Sequence, residues 1–213
     1  MEIRITETFF SLQGESSLAG VPTFFIRLTG CPLRCTYCDT AYAFHGGRLI
    51  SIEHLLDQAK ASGARYVCVT GGEPLAQPEC LPLLSALCDE GFTVSLETSG
   101  AMPVEPVDQR VIKIMDIKTP DSGEVDKNRW QNINSLSLQD QVKFVIGSRA
   151  DYEWSKKILR DYVLPEKTGT VLFSPSAGCL QPADLAQWIL DDQLPVRFQL
   201  QLHKIIWGNR RGV

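Results

Sequence analysis

The chain has 213 residues, of which 44% are hydrophobic and 22% are charged, and its formal net charge is −4. This length accommodates one large domain with a substantial core, and we expect residues 1–213 to form a single domain. A slightly acidic chain has no overall attraction for nucleic acid, and no apolar run approaches the ~18 residues that cross a bilayer. The first residues also lack the apolar region of a signal peptide, so we expect a cytoplasmic protein that binds neither membranes nor nucleic acid.

Short apolar runs alternate with amphipathic stretches, which predicts repeated β-α units. The predicted strands are residues 23–28, 65–70, 93–97, 111–117, 142–146, 170–173 and 196–201. The predicted helices are residues 51–60, 79–88, 151–162 and 182–190. Ser51 is the expected N-cap of the first helix, and the polar segment 119–139 is expected to be an irregular, mobile loop. About six mainly parallel strands predict an α/β fold of the partial (β/α) barrel type, since a complete eight-fold barrel takes ~250 residues.

Three cysteines lie within eight residues, in the run Cys31-Pro-Leu-Arg-Cys35-Thr-Tyr-Cys38 directly after the first predicted strand. A C-x₃-C-x₂-C run is one ligand short of a four-thiolate zinc site. Three thiolates do suit a cubane iron–sulfur cluster that leaves one iron open for a small molecule. The run therefore favours a reactive cluster. Cys68, Cys80 and Cys88 are expected to be buried, reduced thiols. Cys179 follows a probable strand, where sites gather in α/β folds, and it is assigned no role in the site.

Polar motifs follow several predicted strands at the point where each strand ends. They are the cysteine loop, Gly71-Gly-Glu-Pro74, Glu97-Thr-Ser-Gly100 and Asp116-Ile-Lys-Thr-Pro120. In parallel α/β barrels, the loops at the carboxyl ends of the strands build the active site. Two adjacent glycines allow a ligand to approach the backbone closely, and Glu73 can accept a hydrogen bond from a cationic amine. Gly-Gly-Glu-Pro alone is more often a turn. Together, however, these motifs predict an active site at the end of the barrel where the strands terminate.

The cysteine run followed by Gly71-Gly72-Glu73 resembles the radical S-adenosylmethionine (SAM) superfamily. The resemblance implies that SAM chelates the open iron and is cleaved to a 5′-deoxyadenosyl radical, which abstracts a hydrogen atom from the substrate. Further segments are similar to the family of 7-carboxy-7-deazaguanine synthases. These segments are Phe9-Phe-Ser-Leu-Gln-Gly-Glu15, Cys38-Asp-Thr40, Glu97-Thr-Ser-Gly100, Asp116-Ile-Lys118 and Gln199-Leu-Gln-Leu-His-Lys204.

This family resemblance implies a reaction and a set of cofactors. The family converts 6-carboxy-5,6,7,8-tetrahydropterin to 7-carboxy-7-deazaguanine with loss of ammonia, a ring contraction on the route to queuosine and related deazapurines. The implied cofactors are a [4Fe-4S] cluster with three cysteine ligands, SAM that is regenerated in each turnover, and Mg²⁺. The implied partners are a second copy of the chain, in a homodimer, and an electron donor of the flavodoxin or ferredoxin type.

Carried onto this chain, the resemblance also implies which residues bind each group, with no catalytic side chain because SAM carries the radical. The cluster would be held by Cys31, Cys35 and Cys38, and Mg²⁺ by the hydroxyl of Thr40. SAM would contact Tyr37, Asp39, Gly71, Gly72, Glu73, Gly100, Gln141, Val142 and Lys143. The substrate would contact Leu12, Gln13, Gly14, Arg27, Thr98 and His203. Arg27 suits this role because a guanidinium can bind the substrate carboxylate through two hydrogen bonds.

Two other functions stay open. A glycyl-radical activase shares the three-cysteine loop and a small partial barrel, but it acts on a protein glycine and needs neither Gln13 with Arg27 nor a Mg²⁺-binding threonine. A non-enzymatic zinc or electron-transfer module would recruit a fourth ligand from a distant part of the chain. That module leaves the Gly71-Gly-Glu-Pro74 motif and the other mouth loops unexplained.

Two segments depart from the family pattern. Ser16 follows Glu15 where many relatives have glycine, so we expect the backbone to bend differently there. Residues 174–178 do not align with the family, and no role is assigned to them.

Overall fold

The computed structural model describes all residues, 1–213, and is built on one nine-stranded sheet. Its strands are β1 (Glu2–Leu12), β2 (Pro22–Leu28), β3 (Arg48–Ser51), β4 (Tyr66–Gly71), β5 (Thr93–Thr98), β6 (Ile112–Asp116), β7 (Gln141–Ile146), β8 (Thr170–Pro175) and β9 (Arg197–Phe198). Their spatial order is β3-β1-β2-β4-β5-β6-β7-β8-β9. All neighbours from β2 to β9 are parallel, whereas β1 and β3 are antiparallel additions at one edge. The predicted class, a mainly parallel and open α/β barrel, is confirmed, with nine strands in place of about six.

Six α-helices accompany the sheet. They are α1 (Ile52–Ala61), α2 (Cys80–Asp89), α3 (Arg149–Asp161), α4 (Leu164–Lys167), α5 (Pro182–Asp191) and α6 (Leu202–Trp207). Ser51 caps α1 as predicted, because its hydroxyl accepts a hydrogen bond from the backbone N–H of His54 at 3.2 Å. No helix combines the length and the hydropathy that a transmembrane segment requires.

The two faces of the sheet differ in chemistry because side chains alternate along each strand. In β7, Val142 and Phe144 are buried in an apolar layer with α3 and α5, whereas Lys143 and Val145 line a cavity on the opposite face. A second apolar cluster lies at the other end of the sheet, where α1 and α2 pack on β1, β2, β4 and β5. The helices therefore cover one face, and the other face is left to form a site.

The segment predicted to be an irregular loop contains three short 3₁₀ helices, Pro120–Ser122, Val125–Lys127 and Trp130–Ser135. The first of them supports the cysteine loop. The backbone N–H of Thr36 donates to the carbonyl of Ser122 at 3.0 Å, and the Thr36 hydroxyl donates to the carbonyl of Asp121 at 2.6 Å.

The last predicted strand is much shorter than expected. Only Arg197–Phe198 pairs with β8, and the chain then turns into α6. His203 therefore lies on a helix and not near the end of a strand. The alternation of polar and apolar residues after Phe198 has another cause, since the buried Gln199 side chain binds the backbone of Ser16.

Candidate active site

A cavity of about 820 Å³ opens on the face of the sheet that the helices leave free. It gathers predicted site residues from positions far apart in the chain. Those that line it are Leu12, Gln13, Gly14, Arg27, Cys31, Cys35, Tyr37, Cys38, Asp39, Thr40, Gly71, Gly72, Thr98, Lys143 and His203. Those that do not line it are Glu73, Gly100, Gln141 and Val142.

Glu73 lies behind the cavity wall, fully buried. Its carboxylate accepts hydrogen bonds from the backbone N–H of Leu75 at 3.0 Å and from the Thr98 hydroxyl at 2.9 Å. It also accepts from the backbone N–H of Ser99 at 2.7 Å. Protein donors thus already occupy the carboxylate, which ties the end of β5 to the turn after β4.

The other three residues outside the cavity have separate structural surroundings. Val142 belongs to the apolar layer. Gln141 stands at the start of β7, where its amide binds Ser17 through two hydrogen bonds of 2.7 and 2.9 Å. Gly100 has a φ of +73°, and an added Cβ would lie 3.0 Å from the Met115 side chain.

The double glycine after β4 is required by the chain itself. A Cβ on Gly72 would lie 2.1 Å from the carbonyl oxygen of Gly30 and 2.8 Å from the Cβ of Cys31. At Gly71, where φ is +147°, it would lie 2.3 Å from the carbonyl oxygen of Leu28. The glycines therefore allow the backbone after β4 to approach the beginning of the cysteine loop, which fixes Cys31 in place.

The three cysteines of this loop are free thiols that share the cavity wall. Burial raises the pKa of Cys31 and Cys35, and the nearby Lys118 ammonium acts in the opposite direction. No three His, Cys, Asp or Glu side chains converge on one ion position. A cubane places no such demand, because each thiolate binds a different iron. Three free thiols on one wall thus fit a [4Fe-4S] cluster with an open iron.

Several buried polar atoms of the cavity wall have no hydrogen-bond partner within the protein. They are the Tyr37 hydroxyl, Oδ1 of Asp116 and the hydroxyls of Ser174 and Ser176. Buried polar atoms in folded proteins nearly always have a partner, so these four indicate a polar ligand. They fit SAM, which carries amine, carboxylate, hydroxyl and adenine groups.

Acidic and basic side chains of the cavity form a chain of ion pairs. The Lys143 ammonium lies 2.7 Å from a carboxylate oxygen of Glu15 and 3.7 Å from Asp116, and Lys118 lies 3.0 Å from Asp116. Burial favours the neutral form of Glu15, but the ion pair with Lys143 outweighs it and lowers the pKa of Glu15. The same neighbours raise the pKa of Lys118 and Lys143 against the effect of burial. The region therefore stays ionised at neutral pH.

Thr40 and Asp39 place hard oxygen atoms next to the cysteine loop. The Thr40 hydroxyl donates to Oδ1 of Asp39 at 2.9 Å, and the Lys204 ammonium lies 2.8 Å from Oδ2 of Asp39. Burial opposes the charge of Asp39, but the contact with Lys204 lowers its pKa well below the ordinary range. Oxygen donors of this kind fit Mg²⁺, which takes few protein ligands and keeps waters or substrate oxygens.

The loop after β1 also meets α6 in the cavity wall. A Cβ on Gly14 would lie 2.1 Å from Nδ1 of His203, so this contact requires glycine. Gln13 donates from Nε2 to Glu97 at 3.3 Å. Ser16 adopts a φ of +68°, the left-handed conformation that glycine favours, and Gln199 holds both its N–H and its carbonyl.

Sequence reasoning missed several cavity residues. They include Phe9, Tyr42, Glu97, Lys118, Ser174, Ser176 and the last residues 208–213. Cys179, which the sequence left outside the site, also lines the cavity. Glu97 and Lys118 stand in motifs that the sequence singled out, so their position after a strand was a usable signal. Tyr42 and the last residues reach the cavity only through tertiary packing, which no local pattern records.

Comparison with known proteins defines the class of this site. Residues 25–163 match the Radical SAM superfamily. Together with the open parallel sheet and the three free cysteines, the match shows a radical SAM protein, as the motifs predicted.

Individual relatives narrow this class further. The 7-carboxy-7-deazaguanine synthase of Koribacter versatilis is 44% identical over 96% of this chain and 97% of its own length. That of Chlorobaculum tepidum is 46% identical over 99% of this chain and 97% of its own length. The crystal structure of QueE from Escherichia coli superposes with a TM-score of 0.79 at 26% identity and covers 95% of both chains. The chain belongs to the family of 7-carboxy-7-deazaguanine synthases.

Proposed function

We propose that this protein converts 6-carboxy-5,6,7,8-tetrahydropterin to 7-carboxy-7-deazaguanine, with release of ammonia. The observation that carries the proposal is the content of one cavity. The three free thiols of the cysteine loop line it together with Arg27. In a chain of this family, one cavity thus contains both the ligands of a radical-generating cofactor and a group that binds a carboxylate.

The cysteine loop would hold the cluster through Cys31, Cys35 and Cys38. When bound, the reduced cluster and SAM supply the 5′-deoxyadenosyl radical that abstracts a hydrogen atom from the substrate. The chain contributes position and exclusion of water, since the closely packed glycines after β4 and the 3₁₀ helix Pro120–Ser122 brace this loop from two sides.

The predicted SAM contacts divide into direct and supporting residues. We assign direct contacts to cavity residues, namely Tyr37, Asp39, Gly71, Gly72 and Lys143. Glu73, Gly100, Gln141 and Val142 would act from behind the wall. Glu73 would do so through the hydrogen bonds that fix Thr98 and Ser99.

The substrate would occupy the side of the cavity formed by Leu12–Gly14, Arg27, Thr98 and His203. The terminal amino groups of Arg27 are available for the substrate carboxylate. Thr40 would present its hydroxyl oxygen to Mg²⁺, which would also take oxygens from the substrate. The neighbouring Asp39 carboxylate forms an ion pair with Lys204 at 2.8 Å.

An anaerobic turnover assay tests this function. The cluster is reconstituted, and SAM, a reductant, Mg²⁺ and 6-carboxytetrahydropterin are added. We expect the deazaguanine product, which is followed by its ultraviolet absorbance and its mass, and no product when SAM is omitted. Absence of product from an enzyme that still cleaves SAM would contradict the synthase and favour the activase, whose substrate is a protein glycine.

The role of Thr40 is tested by changing it to valine, which removes the hydroxyl and keeps the shape. We expect Thr40→Val to raise the Mg²⁺ concentration that gives half-maximal turnover, while the cluster absorbance stays unchanged. An unaltered Mg²⁺ dependence would contradict the assignment. Thr170→Val is the matched control, because Thr170 stands at the start of β8, outside the cavity.

Further proposals concern the setting of the enzyme. We propose a single-domain protein that forms a homodimer in the cytoplasm and receives electrons from a flavodoxin or ferredoxin. All seven cysteines are free, which agrees with a reducing compartment. Exposed apolar side chains such as Phe10, Ile205 and Ile206 support a further protein contact. Light scattering on the holoenzyme would give twice the mass of the chain if the homodimer forms.

A further inference from the structure

Arg27 has an unusual set of contacts for a buried cation. Its side chain is 17% exposed, and its Nε–H donates to Oε1 of Glu7 at 2.8 Å. The guanidinium carbon lies 5.8 Å from the ring centre of Phe9 and 5.9 Å from that of Tyr42. Neither terminal amino group has a hydrogen-bond partner in the protein, and Arg27 lines the cavity. One edge of the guanidinium is thus held, while the fork that can grip a carboxylate is free.

A β-bulge brings Glu7 to this position. Ile5 pairs with Leu28 and Glu7 pairs with Arg27, so β1 advances two residues where β2 advances one. Ile5 packs in the apolar layer under the helices. Strict alternation would place Glu7 in the same layer, and the extra residue turns it to the cavity face.

The remainder of β1 confirms the change of face. Phe9, two residues after Glu7, pairs with Phe25 and stacks on its ring at 4.8 Å in the cavity wall. Thr8 now points to the helices, where its hydroxyl bonds the Gln58 side chain of α1 at 3.1 Å. The bulge therefore delivers a carboxylate to the one face of the sheet where Arg27 needs a partner.

Tyr42 fixes the same carboxylate from the other side. Its hydroxyl donates to Oε1 of Glu7 at 2.7 Å. Burial raises the pKa of Tyr42 to about 12, with a smaller contribution from Glu7, so the hydroxyl keeps its proton at neutral pH. Two donors thus hold one oxygen of Glu7, which leaves that carboxylate little freedom to turn.

We infer that Glu7 is a positioning residue that orients the Arg27 fork towards the carboxylate of the substrate. This inference rests on the proposed function, which supplies the carboxylate. Without Glu7, Arg27 would be free to turn towards Glu97, another carboxylate of the cavity whose charge already acts on it. The fork would then be lost to the substrate, although Arg27 itself is still present.

Ligand binding to the reconstituted holoenzyme with SAM tests the inference without turnover. The probes are pterin-6-carboxylate, which is fluorescent and carries the carboxylate, and pterin, which lacks it. Dissociation constants are measured for the wild type, Glu7→Ala, Glu7→Gln, Arg27→Met and the double variant Glu7→Ala/Arg27→Met. Thr8→Val, the neighbouring position on the other face, is the control. Cluster absorbance and melting temperature verify that each variant is folded.

We expect Glu7→Ala to weaken binding of pterin-6-carboxylate by about 10- to 100-fold, the loss typical of a hydrogen bond to a charged group. Binding of pterin should be unchanged. Glu7→Gln should restore most of the preference, because it keeps an acceptor oxygen. In the Arg27→Met background, Glu7→Ala should cause no further loss, since Glu7 acts only through Arg27.

Three results would overturn the inference, and they differ in what else they affect. Equal losses for both probes would make Glu7 a structural residue only. A full loss in the Arg27→Met background would place Glu7 in direct contact with the ligand. In both cases the proposed function stands. A wild-type protein with no preference for pterin-6-carboxylate over pterin would overturn the proposed function as well.

Discussion

The two faces of the central sheet are made by the same strands and yet have opposite chemistry. On the helix side, Phe144 and Phe173 are fully buried among other apolar side chains. On the cavity side lie their chain neighbours Lys143 and Ser174, which are ionised or polar. Stability and chemistry are therefore divided by the alternation of side chains along each strand, and a mutation should affect mainly one of them.

The two faces are compared most directly on β1, because the side chains of this strand change face at the bulge. Before the bulge, Ile3 and Ile5 pack under α1, and after it Glu7 and Phe9 belong to the cavity side. A change of face within one strand shows that the cavity depends on local backbone irregularity as well as on the overall fold.

The largest effect is expected on the cavity side, for Cys35→Ala. The variant should lose the iron–sulfur absorbance and all turnover, because two thiolates cannot hold the cubane. Its apo form should melt close to the wild-type temperature, since the Cys35 thiol is half-buried. Cys88→Ala, outside the cavity, is the control and should keep the cluster. A normal cluster signal in Cys35→Ala would refute the ligand assignment.

The reverse effect is expected on the helix side, for Leu84→Ala. Leu84 is completely buried in the layer of α2, so the cavity left behind should lower the free energy of unfolding by about 2–5 kcal/mol. Urea denaturation measures this loss, and the turnover per cluster at low temperature should be retained. Leu138, which is 70% exposed, provides the control Leu138→Ala. A loss of turnover equal to that of a cavity mutant would contradict the division between the faces.

A smaller effect, expected on the cavity side, is the pH dependence of the stability. Lys143 lowers the pKa of Glu15 below its ordinary value of 4.5, so this pair stabilises the fold above that pH. The contribution is lost as the pH falls through the lowered pKa. In Lys143→Met, burial of Glu15 alone would raise its pKa, so the stability should fall as the pH rises through 4.5.

Urea midpoints of the apo protein between pH 3.5 and pH 6, roughly the range around a carboxyl pKa, measure this reversal. The control is Lys157→Met, which removes an exposed ion pair with Asp161 on α3. Identical pH slopes in the wild type and in Lys143→Met would show that Glu15 and Lys143 are not coupled.

The smallest effect is expected for Ser16→Gly, in the loop that joins β1 to β2. The left-handed backbone of Ser16 costs a serine on the order of 1 kcal/mol, and glycine adopts it freely. Relief of this strain is partly offset by loss of the hydrogen bond from the N–H of Leu18 to the Ser16 hydroxyl. We expect a gain of at most about 1 kcal/mol in urea denaturation. Ser16→Ala keeps the strain and should be less stable than Ser16→Gly, so the opposite order would contradict this account.

The regular part of the fold could be predicted from the sequence because its strands are buried and its helices are amphipathic. The parallel strands β2 and β4 to β8 and the Ser51 cap appear where the patterns indicated them, whereas β1 and β3 were not predicted. The three cysteines and the double glycine were recognisable because cluster ligation and close backbone approach restrict the residue type. These features depend on local sequence alone.

The rest depends on tertiary contacts that leave no periodic signal. The bulge before Glu7 breaks the alternation of β1, so the strand and its cavity residues could not be recognised. Gln199 continued an apparent strand pattern, but its amide serves the backbone of Ser16. Glu73 belongs to a ligand-binding motif, and the structure shows that Thr98 and Ser99 occupy its carboxylate.

The most direct test of the central claim is the electron paramagnetic resonance spectrum of the reduced holoenzyme with and without SAM. If the cavity face is built for a three-cysteine cluster with an open iron, addition of SAM should shift the cluster signal. Cys35→Ala should give no cluster signal in either condition. A wild-type cluster whose spectrum is identical with and without SAM would show that the fourth iron position is not available to SAM, and would contradict the account.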